Sequence, residues 1–374
     1  MTLRTAVIGG GTVSGVHLDG LDRNPRTDLV AICDLDEETA RDIAAEYDVR
    51  PFFDVDEMLA SLDLDWVHVC TPVQTHLPIA KTVIEAGVPI QIEKPITETY
   101  EEFEELASFA ERHDAVVSEK HNHAFDPVVR RALRMKREGE LGEVRGVDVI
   151  YTGSSRPDDP NRGPWNFDLA GGEFEEGIPH PIYLTLRAGG YPRSESAVAP
   201  STALFGDYDR DFDYDGAQVQ YVTDDEVLCS VKMLGGTRPV RELVVHGSEK
   251  SVTADLLSQT LVEHDRDYKA SGAARALNNV DQAVDRLTGT IANVRSVVDR
   301  ARHDDWDTLR LLNAHYYQND AESRALEAGD PSRMPVPLSE SRWTIYLMEA
   351  IRDEAGRGDA PDIDAVEAPI GGDE

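Results

Sequence analysis

Three short motifs in the first hundred residues carry groups suited to binding a nucleotide and moving a proton. The segment from Gly9 to Ser14 is a GxGxxG-type loop with Ser14 in the place of the third glycine. Its first glycine permits a tight turn, and Gly11 lets the backbone approach a pyrophosphate at a helix N-terminus. Asp34 follows about 20 residues later, where a carboxylate can hold a ribose hydroxyl. Leu35, not an arginine, comes next, so the pattern favours NAD over NADP.

The other two motifs are Thr71 to His76 and Glu93-Lys94-Pro95, each directly after an apolar, strand-like run. Ligands of doubly wound sheets bind at the carboxyl ends of the strands. A lysine partly removed from water there can titrate low enough to exchange a proton with a substrate. The residues predicted to bind the cofactor are Gly9, Gly11, Thr12, Val13, Asp34, Thr71, Pro72, Gln74, His76, Glu93 and Lys94.

These motifs need a framework of parallel strands to bring them together. Short apolar runs alternate with helical segments through the first 120 residues, at positions 6–8, 29–33, 66–70, 89–92 and 115–117. Strands that are apolar on both faces and separated by helices form a parallel sheet covered on both sides. We therefore predict a doubly wound, Rossmann-type nucleotide-binding domain over residues 1–122.

A different pattern begins at residue 123 and predicts a second domain over 123–355. Its strands alternate apolar and polar residues, which indicates an α+β domain with an open, mostly antiparallel sheet. A helical insertion at about 272–302 spaces its apolar residues by three and four: Leu277, Val280, Val284, Leu287, Ile291, Val294 and Val298. This seam either packs on its own domain or meets a partner subunit. The acidic tail, 356–374, is predicted to be disordered.

Composition excludes several classes of protein. The chain has 37 Lys and Arg against 71 Asp and Glu, a net charge of −34, which disfavours nucleic acid as a partner. No apolar run is long enough for a membrane span, and the N-terminus does not have a signal-peptide pattern, so we expect a cytoplasmic protein. The three cysteines are widely spaced within apolar runs, as is typical of buried reduced thiols.

The order of the motifs resembles that of the Gfo/Idh/MocA oxidoreductases, the family of glucose–fructose oxidoreductase and inositol dehydrogenase. The glycine loop, the TP-x-x-x-H segment at Thr71–His76 and the EKP segment at Glu93–Pro95 occur here in the family's order, and Phe125-Asp126-Pro127 resembles a further landmark. The resemblance implies an NAD(P)-dependent dehydrogenase of a sugar, polyol or similar small hydroxy compound. It also implies a homodimer or homotetramer.

The resemblance also implies roles for individual residues. Lys94 matches the family's catalytic lysine, which contacts the substrate hydroxyl and the nicotinamide ribose. The family's Asp-x-Gly-x-His-x-x-Asp motif corresponds to Glu176–Tyr183, where His180 is retained, Glu176 stands for the first aspartate and Tyr183 for the last. We predict that Lys94 and His180 are catalytic and that Glu176 orients His180. The predicted substrate-binding residues are Lys94, Asn122, His123, Trp165, His180 and Tyr183.

Several alternatives remain open from the sequence. Some members of the family oxidise a sugar only transiently, and a chain that works in this way would be a redox-neutral, NAD-dependent glycosidase or eliminase. The altered Glu176–Tyr183 motif also allows a third interpretation, a non-catalytic NAD-binding sensor. Trp165 either stacks on a sugar ring or packs in the core. His121 and His123 could form a metal pair, but no third ligand is evident, so no metal is predicted.

The acidic, lysine-poor composition is typical of proteins that fold in concentrated salt, as in a halophile. We expect the melting temperature to rise between 0.01 M and 1 M KCl, because the Debye length falls from about 30 Å to about 3 Å and screens the self-repulsion. Differential scanning calorimetry across this range measures it. A melting temperature independent of salt would contradict the interpretation.

Overall fold

The computed structural model describes residues 2–265 and 272–357 and contains two sheets. The first sheet has the strand order β3-β2-β1-β4-β5-β6, and every neighbouring pair is parallel. This arrangement confirms the doubly wound fold predicted from the sequence. Its strands are β1 Leu3–Ile8, β2 Thr27–Cys33, β3 Arg50–Phe52, β4 Trp66–Val69, β5 Ile90–Ile92 and β6 Val117–Glu119.

Five helices cover the two faces of this sheet: α1 Ser14–Arg23, α2 Glu37–Tyr47, α3 Val55–Ser61, α4 His76–Glu85 and α5 Tyr100–Arg112. Local sequence explains their boundaries. Asp36 caps α2 by accepting a hydrogen bond from the backbone of Thr39, and Thr99 and Glu102 form a reciprocal capping box at the start of α5. The apolar side of each helix then packs on strands that are themselves almost fully buried.

The second sheet confirms the open, mostly antiparallel prediction. Its order is β13-β12-β11-β7-β10-β9-β8, and only the β7–β10 pair is parallel. Along β10, Cys229, Val231 and Met233 are buried while Leu228 and Lys232 are exposed, so one face of the sheet is open. The strands are β7 Val144–Thr152, β8 Ala199–Ala203, β9 Gly216–Val222, β10 Leu228–Leu234, β11 Val240–Gly247, β12 Ser251–Asp255 and β13 Thr260–His264.

The remaining helices are α6 Pro127–Arg137, α7 Gly172–Glu176, α8 Pro179–Gly189, α9 Gly272–Arg302, α10 Trp306–Leu312, α11 Ala314–Glu327 and α12 Leu338–Ala355. Helices α8 and α12 cover the buried face of the second sheet. Helix α11 returns to the first sheet, where Asn24 donates to Ser323 at 3.1 Å and Arg26 donates to Asp320 at 3.1 Å. The C-terminal half of the chain therefore helps to hold the nucleotide-binding half in place.

The apolar seam on α9 does not pack on its own domain. Its members are between 36% and 60% exposed: Leu277, Val280, Val284, Leu287, Ile291, Val294 and Val298. Of the two interpretations of this seam, packing within the chain is therefore wrong for the residues that the structure describes. The predicted tail falls almost wholly at 358–374, outside the described residues.

The three cysteines, Cys33, Cys70 and Cys229, are unpaired and buried, as predicted. Burial raises the pKa of the Cys33 thiol to about 12, and the neighbouring Asp34 carboxylate adds to this shift. Within residues 2–265 and 272–357, every helix is too short or too polar to cross a membrane.

Candidate active site

The glycine loop joins β1 to α1 and has the shape that a bound pyrophosphate requires. Gly9 has φ of 96°, and a Cβ atom there would lie 2.8 Å from the backbone of Cys70. A Cβ atom on Gly11, in contrast, would meet no protein atom within 4 Å. Ser14 replaces the third glycine without disturbing the turn, because its hydroxyl donates to the Gly11 carbonyl at 2.7 Å. The loop thus leaves open space at the N-terminus of a helix, where anions bind.

Asp34 lies at the end of β2 and is fixed by this loop. One carboxylate oxygen accepts from the Gly10 amide at 2.6 Å, and the other accepts from the Asp36 amide at 2.8 Å. Each oxygen retains a second lone pair for a ribose hydroxyl. Leu35 beside it is 90% exposed and carries no charge that would favour a 2′-phosphate. The site therefore suits NAD.

A cavity of about 260 Å³, here called the glycine-loop cavity, brings the predicted cofactor residues together. Ten of the eleven line it: Gly9, Gly11, Thr12, Val13, Asp34, Thr71, Pro72, His76, Glu93 and Lys94. Gln74 is the exception, because it lies exposed on the short 3-10 helix Val73–Thr75 and does not line the cavity. Trp165 lines this cavity half-buried, so it is not packed in the core, and its contact with the substrate stays a prediction.

A second cavity of about 270 Å³, the cleft cavity, lies between the two sheets. Both cavities are lined by Val13, Glu93, Lys94, Arg162 and Glu176, so they adjoin each other in one cleft. Four of the six predicted substrate residues line the cleft cavity: Lys94, Asn122, His123 and His180. A hydroxyl compound bound there would lie against the nicotinamide end of a dinucleotide in the glycine-loop cavity.

Lys94 follows β5 and is almost completely buried. Its ammonium donates to the Glu176 carbonyl at 2.9 Å and also to the Glu176 carboxylate. Arg162 contacts the same carboxylate, with Nη1 2.6 Å from Oε1. Burying a cation is costly unless it is paired and hydrogen-bonded, and Glu176 meets both needs.

The prediction that Glu176 orients His180 is therefore wrong. Helix α7 ends at Glu176 and α8 begins at Pro179, so the two side chains do not share a helix face. Pro179 can occupy the first helical turn because it has no amide hydrogen to satisfy. Glu176 contacts Lys94 and Arg162 instead.

Tyr183 orients His180 in its place. His180 Nδ1 lies 2.8 Å from the Tyr183 hydroxyl, which donates to Asn122 Oδ1 at 3.2 Å and accepts from the His123 amide at 3.0 Å. In the tautomer whose phenol proton points at Asn122, Nδ1 donates to Tyr183 and Nε2 carries a lone pair. Tyr183 itself is fully buried and does not line the cavity, so its predicted substrate contact is not observed.

Electrostatics keep the His180 imidazole neutral. Burial holds the pKa of His180 well below its usual value, and the nearby charges of Lys94, His123, Arg162 and Arg241 lower it further. A neutral imidazole beside a lysine that is bound to a carboxylate forms a base next to a cation. Such a pair can remove a hydroxyl proton and stabilise the negative oxygen that remains.

Behind the cleft lies a buried polar network centred on Glu93. His17 Nε2 lies 2.7 Å from Glu93 Oε1, and His17 Nδ1 lies 2.8 Å from His68 Nδ1. Burial alone would raise the pKa of Glu93, but its contacts with His17 and the charge of Lys94 hold it below the usual value. Burial lowers the pKa of the nearby Lys120 to about 8.

One group of possible metal-ligating atoms occurs in this network among the described residues. Atoms of His17, Glu93 and His315 lie within 4.8 Å of one another. Burial lowers the pKa of His17, and the positive charge of Lys120 lowers it further. Because the same charge would repel a metal cation, the three residues are better suited to a hydrogen-bonded network than to a metal site. His121 and His123, which the sequence offered as a possible metal pair, contact different carboxylates. His121 contacts Glu119 and Glu340, while His123 contacts Asp126.

Several residues that line the cleft cavity were not predicted from the sequence, and three of them carry chemistry of interest: Tyr151 on β7, Arg162 before α7, and Arg241 on β11. Tyr151 and Arg241 are partners across neighbouring strands, and the Arg241 guanidinium lies 4.4 Å from the centre of the Tyr151 ring. The pattern of β11 was a usable signal, since Arg241 shares a face of the strand with the buried Leu243 and Val245, where a charged residue is unusual. Arg162 lies in an irregular segment with no such pattern.

The fold and the cleft together define a dinucleotide-dependent oxidoreductase. Residues 3–121 match the family model described as an oxidoreductase family with an NAD-binding Rossmann fold, named for Gfo, Idh and MocA. This match identifies the first part of the chain as an NAD-binding Rossmann domain of that type, and the protein is an NAD-binding oxidoreductase. It is 28% identical over 263 residues to inositol 2-dehydrogenase of Rhizobium meliloti, covering 68% of this chain and 76% of that protein.

A second relative is UDP-N-acetylglucosamine 3-dehydrogenase of Acidithiobacillus ferrooxidans, 33% identical over 155 residues, or 41% of this chain and 47% of that protein. The fold is shared with GenD2 of gentamicin A biosynthesis in complex with NAD, at a TM-score of 0.71 and 24% identity over 96% of this chain and 95% of that one. The WlbA dehydrogenase of Bordetella pertussis, in complex with NADH and UDP-GlcNAcA, has a TM-score of 0.73 at 17% identity, covering 96% of each chain.

Gly11 offers a direct test of the cofactor site. We expect Gly11→Val to leave the fold and melting temperature nearly unchanged, because a Cβ atom at this position meets no protein atom within 4 Å. The valine side chain fills the space of the pyrophosphate, so the Kd for NADH should rise at least tenfold. Titration by NADH fluorescence measures this effect. Gly15→Ala, also in open space but within α1, is the matched control, and a Gly11 variant with normal affinity would contradict the assignment.

Proposed function

We propose that this protein is an NAD-dependent dehydrogenase that moves a hydride between nicotinamide and the hydroxyl-bearing carbon of a sugar, polyol or related acid. One observation carries the proposal. Lys94 and His180 line a cavity that adjoins the glycine-loop cavity, and Lys94 lines both, so a proton-handling pair would lie beside the nicotinamide of a bound dinucleotide. NAD, when bound, supplies the hydride acceptor, and the protein supplies orientation and proton transfer.

His180, Lys94 and Glu176 have different roles in the reaction of the substrate hydroxyl. His180 is neutral, and with Nδ1 held by Tyr183 its Nε2 accepts the hydroxyl proton as the carbon is oxidised. The Lys94 ammonium donates a hydrogen bond to the same oxygen and stabilises its developing negative charge. Glu176 holds Lys94 in place through its carbonyl and carboxylate. In the reverse direction His180 returns the proton.

Arg241 indicates that the substrate carries an acidic group. It lines the cleft cavity, its Nε is buried without a hydrogen-bond partner, and within residues 2–265 and 272–357 no carboxylate oxygen lies within 4.0 Å of it. Among the buried side-chain nitrogen and oxygen atoms of the described residues that have no hydrogen-bond partner, Arg241 Nε is the one that belongs to an arginine. A carboxylate or phosphate of the substrate would satisfy its guanidinium by paired hydrogen bonds.

The relatives are consistent with a hydroxylated, ring-shaped substrate. Inositol 2-dehydrogenase and UDP-N-acetylglucosamine 3-dehydrogenase are both named for oxidation at a ring carbon.

We further propose that the protein is a cytoplasmic homodimer or homotetramer from a high-salt cell. The support is the buried, unpaired cysteines, the net charge of −34 and the exposed apolar seam of α9.

The test is the formation of NADH, followed at 340 nm in concentrated KCl. NAD is supplied with matched pairs of neutral and acidic compounds: aldoses with aldonic and uronic acids, inositols, and nucleotide sugars with their uronic acids. We expect NADH to form with at least one compound, and kcat/KM to be higher for the acid of that pair. Lys94→Ala should lower kcat by at least a hundredfold, because loss of one donor that stabilises a developing oxyanion costs about 10²–10³ in kcat.

Glu138→Ala, an exposed substitution just after α6, is the control for a generally damaged protein. A Lys94→Ala enzyme with unchanged kcat would contradict the proposed role of Lys94. Product release with no net NADH would contradict the dehydrogenase and indicate a redox-neutral enzyme instead. NADH binding with no turnover of any compound in the panel would favour a sensor.

A further inference from the structure

Helix α9 presents an apolar face to solvent along most of its length. Eight large apolar side chains on it are between 36% and 68% exposed: Leu277, Val280, Val284, Leu287, Ile291, Val294, Val297 and Val298. Contiguous exposed apolar surface of this kind marks a site of association. From Leu277 to Val298 the face is about 32 Å long at 1.5 Å per residue.

The opposite face of the same helix already has its partner. Asp285 accepts from the Glu263 amide at 3.0 Å, and Asn293 donates to the Ser258 carbonyl at 2.5 Å. A Cβ atom on Gly289 would lie 2.9 Å from Thr260, so α9 and β13 are in close contact there. Small and polar residues therefore attach α9 to its own domain, while the apolar residues point away from that domain.

The spacing of the exposed residues specifies what fits them. Seven of them occupy a and d positions of three consecutive heptads, with Leu277 at a and Val280 at d. An a/d seam over three heptads is complementary to another helix with the same repeat, because knobs of one enter holes of the other. In the part of the chain that the structure describes, α9 is the helix with this repeat, so a second copy of α9 provides the matching surface.

Charge selects the direction in which the second copy runs. The residues beside the seam at the e positions include Asp281 and Arg295, while the g positions are Ala276, Ala283, Thr290 and Val297. In a parallel pair, e residues face g residues, so Asp281 and Arg295 would face neutral residues of the partner helix. In an antiparallel pair, e residues face e residues. Asp281 then lies opposite Arg295 of the partner subunit, and the two-fold axis makes this contact twice.

The same register pairs six of the seven seam residues, all except Leu277, in the core of the pair. With the two-fold axis near Thr288, Leu287 packs against Ile291 of the partner subunit, Val284 against Val294 and Val280 against Val298. Each layer then joins an a residue to a d residue, and symmetry repeats it. Registers shifted by a heptad either leave Leu277 and Val280 unpaired or place Arg295 opposite a neutral residue.

We propose that two copies of this protein associate through α9, which forms an antiparallel two-stranded coiled coil about a two-fold axis near Thr288. The inference rests on the proposed homo-oligomer but not on the proposed reaction. Association here would leave the cleft open, because α9 attaches to β13 at the edge of the second sheet. NADH formation and self-association can therefore fail independently.

Cysteine cross-linking of the full chain tests the register. The three native cysteines are buried, so an added surface cysteine is the reactive one. Thr288→Cys lies beside its own symmetry mate in the antiparallel pair and should cross-link to a dimer under mild oxidation or with a short bismaleimide. Leu277→Cys lies about 35 Å from its mate in that pair but beside it in a parallel pair. Dimers from Thr288→Cys and not from Leu277→Cys are expected.

Light scattering of uncross-linked protein tests the surface itself. Leu287→Asp should at least halve the molar mass of the assembly, whose subunit is 41.3 kDa. Asn279→Asp, an equal charge change on the same helix but off the seam, should not change the mass. Arg295→Asp should weaken the association several-fold at low salt, and Asp281→Arg combined with Arg295→Asp should restore it.

Three results would overturn the proposal. One is a mass unaffected by Leu287→Asp together with no cross-link at position 288. Another is a cross-link at position 277 equal to that at 288, which would mean a parallel pair. The third is a monomeric wild type in which removing residues 358–374 increases hydrogen exchange or dye binding at the seam, which would show that the chain covers α9 itself.

Discussion

The burial of Lys94 against Glu176 is the interaction on which the rest of the site depends. A cation placed at the end of a buried strand is stable only if an anion and hydrogen-bond acceptors meet it there. Helix α7, from the second domain, ends so that both the carbonyl and the carboxylate of Glu176 reach the ammonium. The two domains thus share one ion pair at the centre of the cleft, and the cleft can hold a substrate only when they are assembled around it.

This pair also explains why His180 is held by an uncharged partner. Lys94, Arg162 and Arg241 make the cleft locally positive in an otherwise strongly acidic protein, which opposes protonation of a buried imidazole. A carboxylate beside His180 would raise the pKa of the imidazole and favour its protonated form, which cannot accept a proton from the substrate hydroxyl. Tyr183 fixes the ring without adding charge, so Nε2 remains a base near neutral pH.

The sequence predicted the parts of the site that local spacing encodes. The glycine loop, Asp34 and Lys94 lie where β1, β2 and β5 end, and the parallel sheet brings those ends together. The partners of His180 could not be predicted in this way, because one helix ends at Glu176 and another starts at Pro179, and helical spacing does not cross that break. Arg241 was missed because its neighbours come from strands far away in sequence. The strand β3 and helix α3 were also missed, since each is short and weakly patterned.

The most direct test of this account is the titration of His180 by NMR of protein labelled at the histidine Cε1 position, with His180→Gln to assign its signal. In high salt and without ligands, the imidazole should remain neutral down to a pH well below 6.5, because it is buried and lies near Lys94. Lys94→Met should raise this pKa by removing one of the positive charges. A His180 that titrates at or above 6.5 in the wild type, or is unaffected by the loss of Lys94, would contradict the account.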